Sequence, residues 1–558
     1  MMMHFLLHYF FTGIALIIYF SANNFRMYLQ KLTITCLAIL IVTCLFAQVP
    51  QNGLDVQHYR FAVEINDSND MVHAVALVTT KFTKDVKQVV LDLVQKNTTG
   101  KGMNVLSVKK NNGNVSFSQD AQHLIIGDIA DKGEEASYEI TYEGVPADGL
   151  IISKNKFGNR TFFCDHCPNR AHNWLPCNDH LSDKASVEFI VTAPVHYQVV
   201  ANGLQVEENN LPGNLKLTHW KEDVPLATKV MAFGAADFAV GFSGVVDCIP
   251  VTSWVYPENK DAGFESYAKA KEIIPFYSSE VGPYVYKKLA NVQSKTIFGA
   301  LENANAVFYS EGSVNDKGVE SLLAHEIAHQ WFGNSATETD WPHLWLSEGF
   351  ATYMTHLYHE HQYGADSLAN RMKKDRDDVI SFSHKQMIPV VDTISAPDPM
   401  ALLNANSYQK GGWVLHMLRR KIGDSLFIKG LQVYFATYSG HNASTANLQS
   451  VFEGVSKQNL TDFFHQWVYT PGQPTLNISW SYNDSKKSVT LKIEQTQKAV
   501  FQFPLEIVFV NAEKTISSNI QVMDRLMQVT LPIAFEPLQI TIDPHSNLLF
   551  EATVKRLK

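Results

Sequence analysis

The 558-residue sequence has no dense run of lysine and arginine. Its 46 basic and 55 acidic residues are spread along the chain and give a net charge of −9. A protein surface that binds phosphate backbones needs a basic stripe, so this distribution argues against nucleic acid as a partner. Internal repeats and low-complexity tracts are also lacking, and 46% hydrophobic with 18% charged residues is an ordinary globular composition.

Cysteine is scarce, with six residues in the whole sequence. Cys36 and Cys44 lie in the first 50 residues, which leaves four for the rest of the chain. Cys164 and Cys167 have the spacing of a metal-binding pair, but a zinc knuckle would need a second such pair and the sequence has none. We therefore interpret these four cysteines as small buried thiols or as one disulfide.

Long apolar runs are confined to the first 50 residues, at 5–20 and 32–47. Each is shorter than the roughly 20 residues of a membrane helix, and basic residues precede the second run as in a secretory signal. In one interpretation translation starts at Met27 and 27–47 is a removed signal. In the other, 5–20 is retained and attaches the protein to a membrane. Both predict that 1–47 is a leader and that the protein is exported, to be periplasmic, extracellular or membrane-anchored facing outside.

Hydrophobic periodicity divides the rest of the chain into three regions. Apolar and polar residues alternate in 58–65 and 88–94, which indicates strands, whereas 266–281 and 319–332 have helical spacing. After a Pro/Gly cluster at 470–474, alternation returns. It is found in 475–482, 488–495, 503–510 and 538–542. Because 558 residues exceed one hydrophobic core, we predict separate domains at 48–243, 244–470 and 471–558.

A metal-binding pattern lies in the helical region. His325, Glu326 and His329 form an H-E-x-x-H motif. Residues four apart share one face of an α-helix, so both imidazoles can point at one ion. Glu326 is rotated by about 100° from His325, within reach of a water at the metal without being a ligand. The motif therefore predicts one zinc ion per chain, with Glu326 as the base for hydrolysis.

A catalytic zinc usually has three protein ligands and an open fourth position. Glu348 follows His329 after 18 intervening residues, in a segment with helical character. It is the predicted third ligand, which would complete a His, His, Glu set.

Three further segments resemble the aminopeptidase N family of zinc metallopeptidases. Residues 298–303, Phe-Gly-Ala-Leu-Glu-Asn, are similar to the G-x-M-E-N motif of that family, with Leu301 where methionine is usual. Residues 407–413 resemble the segment with the catalytic tyrosine of the family, and 169–179 resemble the A-R-x-x-F-P-C-x-D stretch, with His172 in place of arginine. The likeness extends over nearly all of 56–558.

The resemblance implies a multidomain α+β fold. It consists of an N-terminal antiparallel β-saddle, a thermolysin-like α/β catalytic domain and a C-terminal β-sandwich. It also implies that Tyr408 stabilises the oxyanion and that Glu302 binds the free amine of the substrate. An ungapped count back from Pro176 and Cys177 gives Asp165 as a second contact to that amine. The implied substrate-binding residues also include Gly299, Ala300, Leu301 and Asn303.

The function that the resemblance implies is hydrolysis of the N-terminal bond of peptides that have a free N-terminus. An epoxide hydrolase, as in the leukotriene-processing branch of the family, would need a helical C-terminal domain that we do not find in this sequence. A catalytically inactive receptor on the same fold would be expected to lack Glu326, Tyr408 or a zinc ligand, and all are present.

Overall fold

The computed structural model describes residues 53–557. The predicted leader, 1–47, lies outside the described residues. Within the described part, no helix combines the length and the apolar character that a membrane span requires. The order of elements follows the predicted pattern of a strand-rich region, a helical region and a second strand-rich region.

The N-terminal region is built from strands in which buried and exposed side chains alternate. In the second strand, for example, Val72, Ala74, Ala76 and Val78 are buried while the side chains between them face outward. The strands are β1 (Leu54–Glu64), β2 (Val72–Phe82), β3 (Val89–Asp92), β4 (Gly102–Lys110), β5 (Gly113–Asn114), β6 (Phe117–Gln119), β7 (His123–Ile126), β8 (Glu135–Val145), β9 (Leu150–Lys154), β10 (Arg160–Cys164), β11 (Lys184–Pro194), β12 (Gln198–Ala201), β13 (Leu204–Leu211), β14 (Leu215–Ala227) and β15 (Phe233–Ala236).

These strands form three sheets. The largest has eight strands in the order β13-β14-β11-β1-β2-β8-β4-β5, and the others have the orders β12-β15-β10-β9 and β3-β7-β6. The large sheet is not wholly antiparallel as predicted, because β1 and β11 run parallel, with His58 opposite Ser186. These two strands are far apart in sequence, so no hairpin forces them into an antiparallel pair.

The central region combines a five-stranded mixed sheet with helices. The sheet order is β16-β17-β18-β20-β19. Its strands are β16 (Ala239–Val246), β17 (Ile249–Val255), β18 (Leu289–Ser294), β19 (Ala300–Leu301) and β20 (Ala306–Ser310), and a separate short pair is formed by β21 (Thr337–Glu338) and β22 (Asn442–Ala443). Strand β16 spans the predicted domain boundary at 243/244.

Nine α-helices are described in this region. They are α1 (Lys260–Tyr267), α2 (Ala270–Glu280), α3 (Val319–Ala328), α4 (Trp345–Tyr363), α5 (Ala365–Ser383), α6 (Gly411–Ile422), α7 (Asp424–Tyr438), α8 (Thr445–Ser456) and α9 (Thr461–Phe464). The predicted helix over 266–281 is two helices, α1 and α2, and the predicted helix over 319–332 ends at Ala328. Single π-helical turns occur at Asn406–Lys410 and His465–Tyr469.

The C-terminal region returns to strands, as the alternation predicted. Two sheets are present, with the orders β27-β24-β23-β29 and β26-β25-β28. Their strands are β23 (Thr475–Asn483), β24 (Ser488–Gln495), β25 (Phe503–Val510), β26 (Thr515–Val522), β27 (Leu526–Pro532), β28 (Gln539–Ile542) and β29 (Glu551–Arg556).

Candidate metal centre

Helix α3 brings the two histidines of the sequence motif together. Its buried residues Leu323, Ala324 and Ile327 hold one face of the helix against the protein interior. His325 and His329, one turn apart, project from the face that borders a cavity, and their Nε2 atoms lie 3.2 Å apart. This is the geometry that the i, i+4 spacing predicted.

Helix α4 contributes the predicted third ligand. Oε2 of Glu348 lies 3.4 Å from Nε2 of His325 and 3.3 Å from Nε2 of His329. The ligand atoms of the three residues all lie within 4.8 Å of one another. Two imidazole nitrogens and a carboxylate oxygen at such spacing are the donor set of a catalytic zinc site.

The buried carboxylate gives an independent test of whether a cation fits. Within residues 53–557, Oε2 of Glu348 has no hydrogen-bond donor within reach apart from the two imidazoles, and the side chain is only 5% exposed. A buried anionic oxygen in this state is stabilised by a nearby cation. The residues therefore fit a zinc ion.

The orientation of the His329 ring is fixed by hydrogen bonds at Nδ1, the nitrogen that does not face the cavity. Its Nδ1 lies 3.1 Å from the carbonyl oxygen of Phe332 and 3.1 Å from the hydroxyl of Ser347. A proton on Nδ1 can be donated to the carbonyl, which leaves the Nε2 lone pair directed at the cavity. The hydrogen bonds of the second nitrogen thus favour the tautomer that binds a metal.

Glu326 borders the same cavity but does not belong to the converging set of ligand atoms. It is 5% exposed, and burial raises the pKa of its carboxyl to about 8. This environment favours a carboxylate that accepts a proton readily.

Tyr408 lies in the π-helical turn Asn406–Lys410, which packs against α4. Its ring is stacked on the imidazole of His325, with the ring centroids 6.0 Å apart. Burial raises the pKa of the phenol well above its ordinary value, so the hydroxyl keeps its proton and can donate it. The structure thus brings Tyr408 to the predicted metal site.

The 299–303 segment forms one side of this cavity, whose volume is about 250 Å³. Gly299, Ala300, Leu301 and Glu302 line it. The carbonyl oxygen of Glu302 accepts hydrogen bonds from Nε2 of Gln330 (3.1 Å) and from Nδ2 of Asn334 (2.6 Å). Two side chains that follow the zinc helix therefore hold the segment beside the metal site. Asn303, the last predicted member of the segment, is buried and does not line the cavity.

The structure does not bring Asp165, the predicted second contact to the substrate amine, to the cavity. Asp165 is completely buried and does not line the cavity. One carboxylate oxygen accepts a hydrogen bond from Arg170, and the other accepts from the hydroxyl of Thr296 (2.9 Å) and the backbone N–H of Ile297 (3.1 Å). Both oxygens are thus engaged by donors of the protein rather than directed at the cavity.

Cys167, which the sequence analysis did not select, borders the cavity instead. It comes two residues after Asp165. The backbone conformation after β10 determines that Cys167, and not Asp165, faces the metal site. Its spacing from Cys164 suggested a metal-binding pair, but without a second such pair it was interpreted as a buried thiol or part of a disulfide. Of the described cysteines, Cys164, Cys167 and Cys177 are buried and Cys248 is exposed, and all four are free thiols. The disulfide alternative is therefore not realised among them.

The chain is similar to known proteins of one peptidase family. The family model of the peptidase M1 N-terminal domain matches residues 55–230, and that of the peptidase family M1 domain matches residues 265–467. The structure is similar to that of an M1 zinc metallopeptidase from Deinococcus radiodurans, with a TM-score of 0.66 and 25% identity over 75% of this chain and 95% of that protein.

Curated relatives are similar in sequence. Human glutamyl aminopeptidase is 28% identical over 350 residues, which are 59% of this chain and 36% of the relative. Probable aminopeptidase 2 of Sulfurisphaera tokodaii is 28% identical over 452 residues, which are 75% of this chain and 55% of the relative. The match thus spans about a third of the human enzyme and about half of the archaeal protein. With both domain types matched in order and the His, His, Glu set assembled within the second, the chain belongs to peptidase family M1.

Proposed function

We propose that this protein is a zinc-dependent aminopeptidase that hydrolyses the N-terminal bond of peptides. The observation that carries the proposal is that one cavity contains both the His325, His329 and Glu348 set and the carboxylate of Glu302. A metal set with its base suits any metallopeptidase, whereas a further carboxylate, Glu302, suits recognition of a free ammonium group. The names of the matched relatives support the same activity.

In this proposal His325, His329 and Glu348 hold the metal. A bound zinc would polarise the scissile carbonyl and lower the pKa of a water molecule. Glu326 accepts the proton of the attacking water and then delivers it to the leaving amine. Tyr408 donates a hydrogen bond to the oxygen that becomes negative as the carbonyl carbon turns tetrahedral.

In this proposal Glu302 restricts cleavage to the N-terminal end of the peptide substrate. An ammonium group bound to this carboxylate fixes the first residue of the peptide, so that only the bond next to it lies over the metal site. Glu302 is 6% exposed, and a charged carboxylate this buried is destabilised unless a cation pairs with it. The chain segment of Glu302 is held at its carbonyl by Gln330 and Asn334.

Metal analysis combined with turnover of a panel of aminoacyl-anilides tests this function. We expect one zinc per chain and release of the aniline from at least one aminoacyl-anilide. A chelator should abolish this activity, and added zinc should restore it. A zinc-loaded protein that cleaves none of a broad panel, and no peptide with a free N-terminus, would contradict the proposal.

We also propose the finer architecture and the export of the protein. The two C-terminal sheets are proposed to form a β-sandwich within the domain 471–558, following a β-saddle at 48–243 and a thermolysin-like domain at 244–470. Buried side chains on both sheets, such as Trp480 and Phe509, support a shared core.

The leader 1–47 supports export, with or without membrane attachment. Sequencing of the mature N-terminus tests this: a start near residue 48 is expected for a removed signal.

A further inference from the structure

A largely buried ion pair in the N-terminal region contacts the segment of the central region that borders the cavity. Asp165 and Arg170 lie just after strand β10, with side chains that are 0% and 12% exposed, and a guanidinium N–H of Arg170 donates to the carboxylate of Asp165. Arg170 also donates to Asp148, at 3.0 Å. None of these three residues lines the cavity.

The carboxylate of Asp165 reaches across to the segment that precedes Gly299. It accepts hydrogen bonds from the hydroxyl of Thr296 and from the N–H of Ile297. The hydroxyl of Thr296 in turn accepts from the N–H of Phe298, at 3.1 Å. One buried carboxylate therefore fixes three consecutive residues, and Phe298, the last of them, borders the cavity.

Arg170 contacts two of the residues that line the cavity, Cys167 and Phe298. Its Nε donates to the carbonyl oxygen of Cys167 at 2.9 Å. Its guanidinium lies over the ring of Phe298, 5.8 Å from the centroid, which is within the range of a cation–π contact. Cys167 comes from the N-terminal region and Phe298 from the central region, and the same guanidinium holds both.

We propose that Asp165 and Arg170 are a positioning pair that fixes Phe298 and Cys167 as the wall of the subsite for the N-terminal residue of the substrate. The proposal rests on the aminopeptidase function proposed above. Glu302 lies four residues after Phe298 and borders the same cavity. A substrate whose ammonium group is bound by Glu302 therefore has its first side chain near this wall.

The pair acts on binding and not on the chemical step. It contacts neither the metal-binding side chains nor Glu326 or Tyr408. Loosening the wall weakens contacts that the substrate makes equally in the ground state and the transition state, which raises KM and leaves kcat nearly unchanged. We expect the ranking of substrates by first side chain to change, because Phe298 is part of the surface that this side chain meets.

Two variants test the proposal, with one matched control. Arg170→Gln removes the cation, and Thr296→Val removes only the bridging hydroxyl and keeps the ion pair, so it decides the question if Arg170→Gln does not fold. The control is Arg160→Gln. Arg160 also pairs with an aspartate, Asp70 at 2.6 Å, and also lies over an aromatic ring, Phe162 at 5.1 Å, but it does not border the cavity.

The kinetic readout is kcat and KM on an aminoacyl-anilide panel at full zinc occupancy. Loss of hydrogen bonds of this kind should raise KM on the order of ten-fold. We expect this rise and an altered substrate ranking in Arg170→Gln and Thr296→Val, with kcat within about three-fold of wild type. Arg160→Gln should match the wild type in all three quantities.

A readout that does not need activity is the rate at which iodoacetamide alkylates Cys167 in zinc-free protein, followed by peptide mass spectrometry. Buried Cys164 and Cys177 report unfolding, and exposed Cys248 reports reagent strength. Alkylation of Cys167 should be faster in both test variants, on the order of ten-fold, and unchanged in Arg160→Gln.

Unchanged alkylation of Cys167, or an unchanged KM in folded and zinc-loaded Thr296→Val, would overturn the positioning role. Failure of the proposed function is distinguishable, because a wild-type protein without turnover refutes the activity while the alkylation rates still show whether the pair holds the wall.

Discussion

Glu326 and the three proposed metal ligands border one cavity but have different proposed roles, as the base and as ligands. Glu326→Gln should keep one zinc per chain and lower kcat about 10²- to 10⁴-fold, because it removes a base and not a ligand. His329→Ala and Glu348→Ala should lose the metal, because three ligands define the site. Metal analysis of purified variants separates the two classes. Stoichiometric zinc in Glu348→Ala would show that the ligand set is incorrect.

Tyr408 is proposed to act on charge that exists only in the transition state. Tyr408→Phe keeps the ring that stacks on His325 and removes only the hydroxyl. The expected result is a fall in kcat of about 10²- to 10³-fold, with KM changed by only a few fold. Steady-state kinetics on one good substrate is sufficient. A wild-type kcat would reassign Tyr408 to packing.

At the level of single residues, the sequence predicted the positions of those side chains that a regular helix places at a fixed spacing. His325, Glu326 and His329 are positioned by helix geometry alone, and Glu348 by a neighbouring helix. Asp165 was assigned by counting back along an irregular segment, where no periodicity relates position to direction. The chain turns after β10 so that Cys167 borders the cavity and Asp165 is turned to Thr296. Only the three-dimensional path contains that information.

The close approach of two helices positions the third metal ligand. A Cβ atom at Gly349 in α4 would lie 2.8 Å from the Cα atom of Gly411, at the start of α6. The backbones therefore meet where only glycine fits, directly beside Glu348. We expect Gly349→Ala to destabilise the protein by about 1–3 kcal/mol, because the helices must separate. Zinc affinity should fall with it, because Glu348 moves with the helix.

Gly454→Ala is the matched control for this variant. Gly454 also lies within a helix, α8, but a Cβ atom there would meet nothing within 4 Å. This substitution should leave stability unchanged or raise it by up to about 1 kcal/mol, since alanine is the better helix former. Denaturant unfolding and zinc titration measure both effects. A Gly349→Ala protein as stable as Gly454→Ala would refute the packing argument.

At the level of elements, hydrophobic periodicity predicted whether a segment is a helix or a strand better than it predicted where the segment ends. The strands 475–482, 488–495 and 503–510 were found almost as predicted, because side chains that alternate between core and solvent mark a strand along its whole length. The zinc helix was predicted to reach residue 332 but ends at Ala328. The buried residues beyond it, Trp331 and Phe332, continue the apolar pattern without continuing the helix, so hydrophobicity alone could not locate the end.

Across the whole molecule, a buried ion pair joins the N-terminal region to the zinc region. Nζ of Lys229 lies 2.6 Å from Oε1 of Glu338, and the two side chains are 2% and 0% exposed. Glu338→Ala leaves a buried ammonium group without its partner, and we expect a loss of about 3–5 kcal/mol in the free energy of unfolding. Lys229→Met combined with Glu338→Leu should recover much of that loss, because neither charge is then buried alone.

An exposed pair gives the control for this prediction. Lys109 and Glu139 lie 2.9 Å apart with side chains that are 39% and 43% exposed. Glu139→Ala should change the free energy of unfolding by no more than about 1 kcal/mol, because water screens the charges. Urea unfolding of the four proteins is the measurement. If Glu338→Ala costs no more than Glu139→Ala, the pair does not stabilise the junction.

We propose that this peptidase cleaves only beside a free amine. An N-acetylated peptide has no ammonium group and would leave the carboxylate of Glu302 desolvated and unpaired, at a cost of several kcal/mol. The measurement is kcat/KM of the zinc-loaded wild-type protein for one peptide with a free and with an acetylated N-terminus. We predict cleavage of the free peptide after its first residue and at least about 100-fold slower cleavage of the acetylated peptide. Equal cleavage of the two peptides would contradict the proposed role of Glu302 and would indicate an endopeptidase.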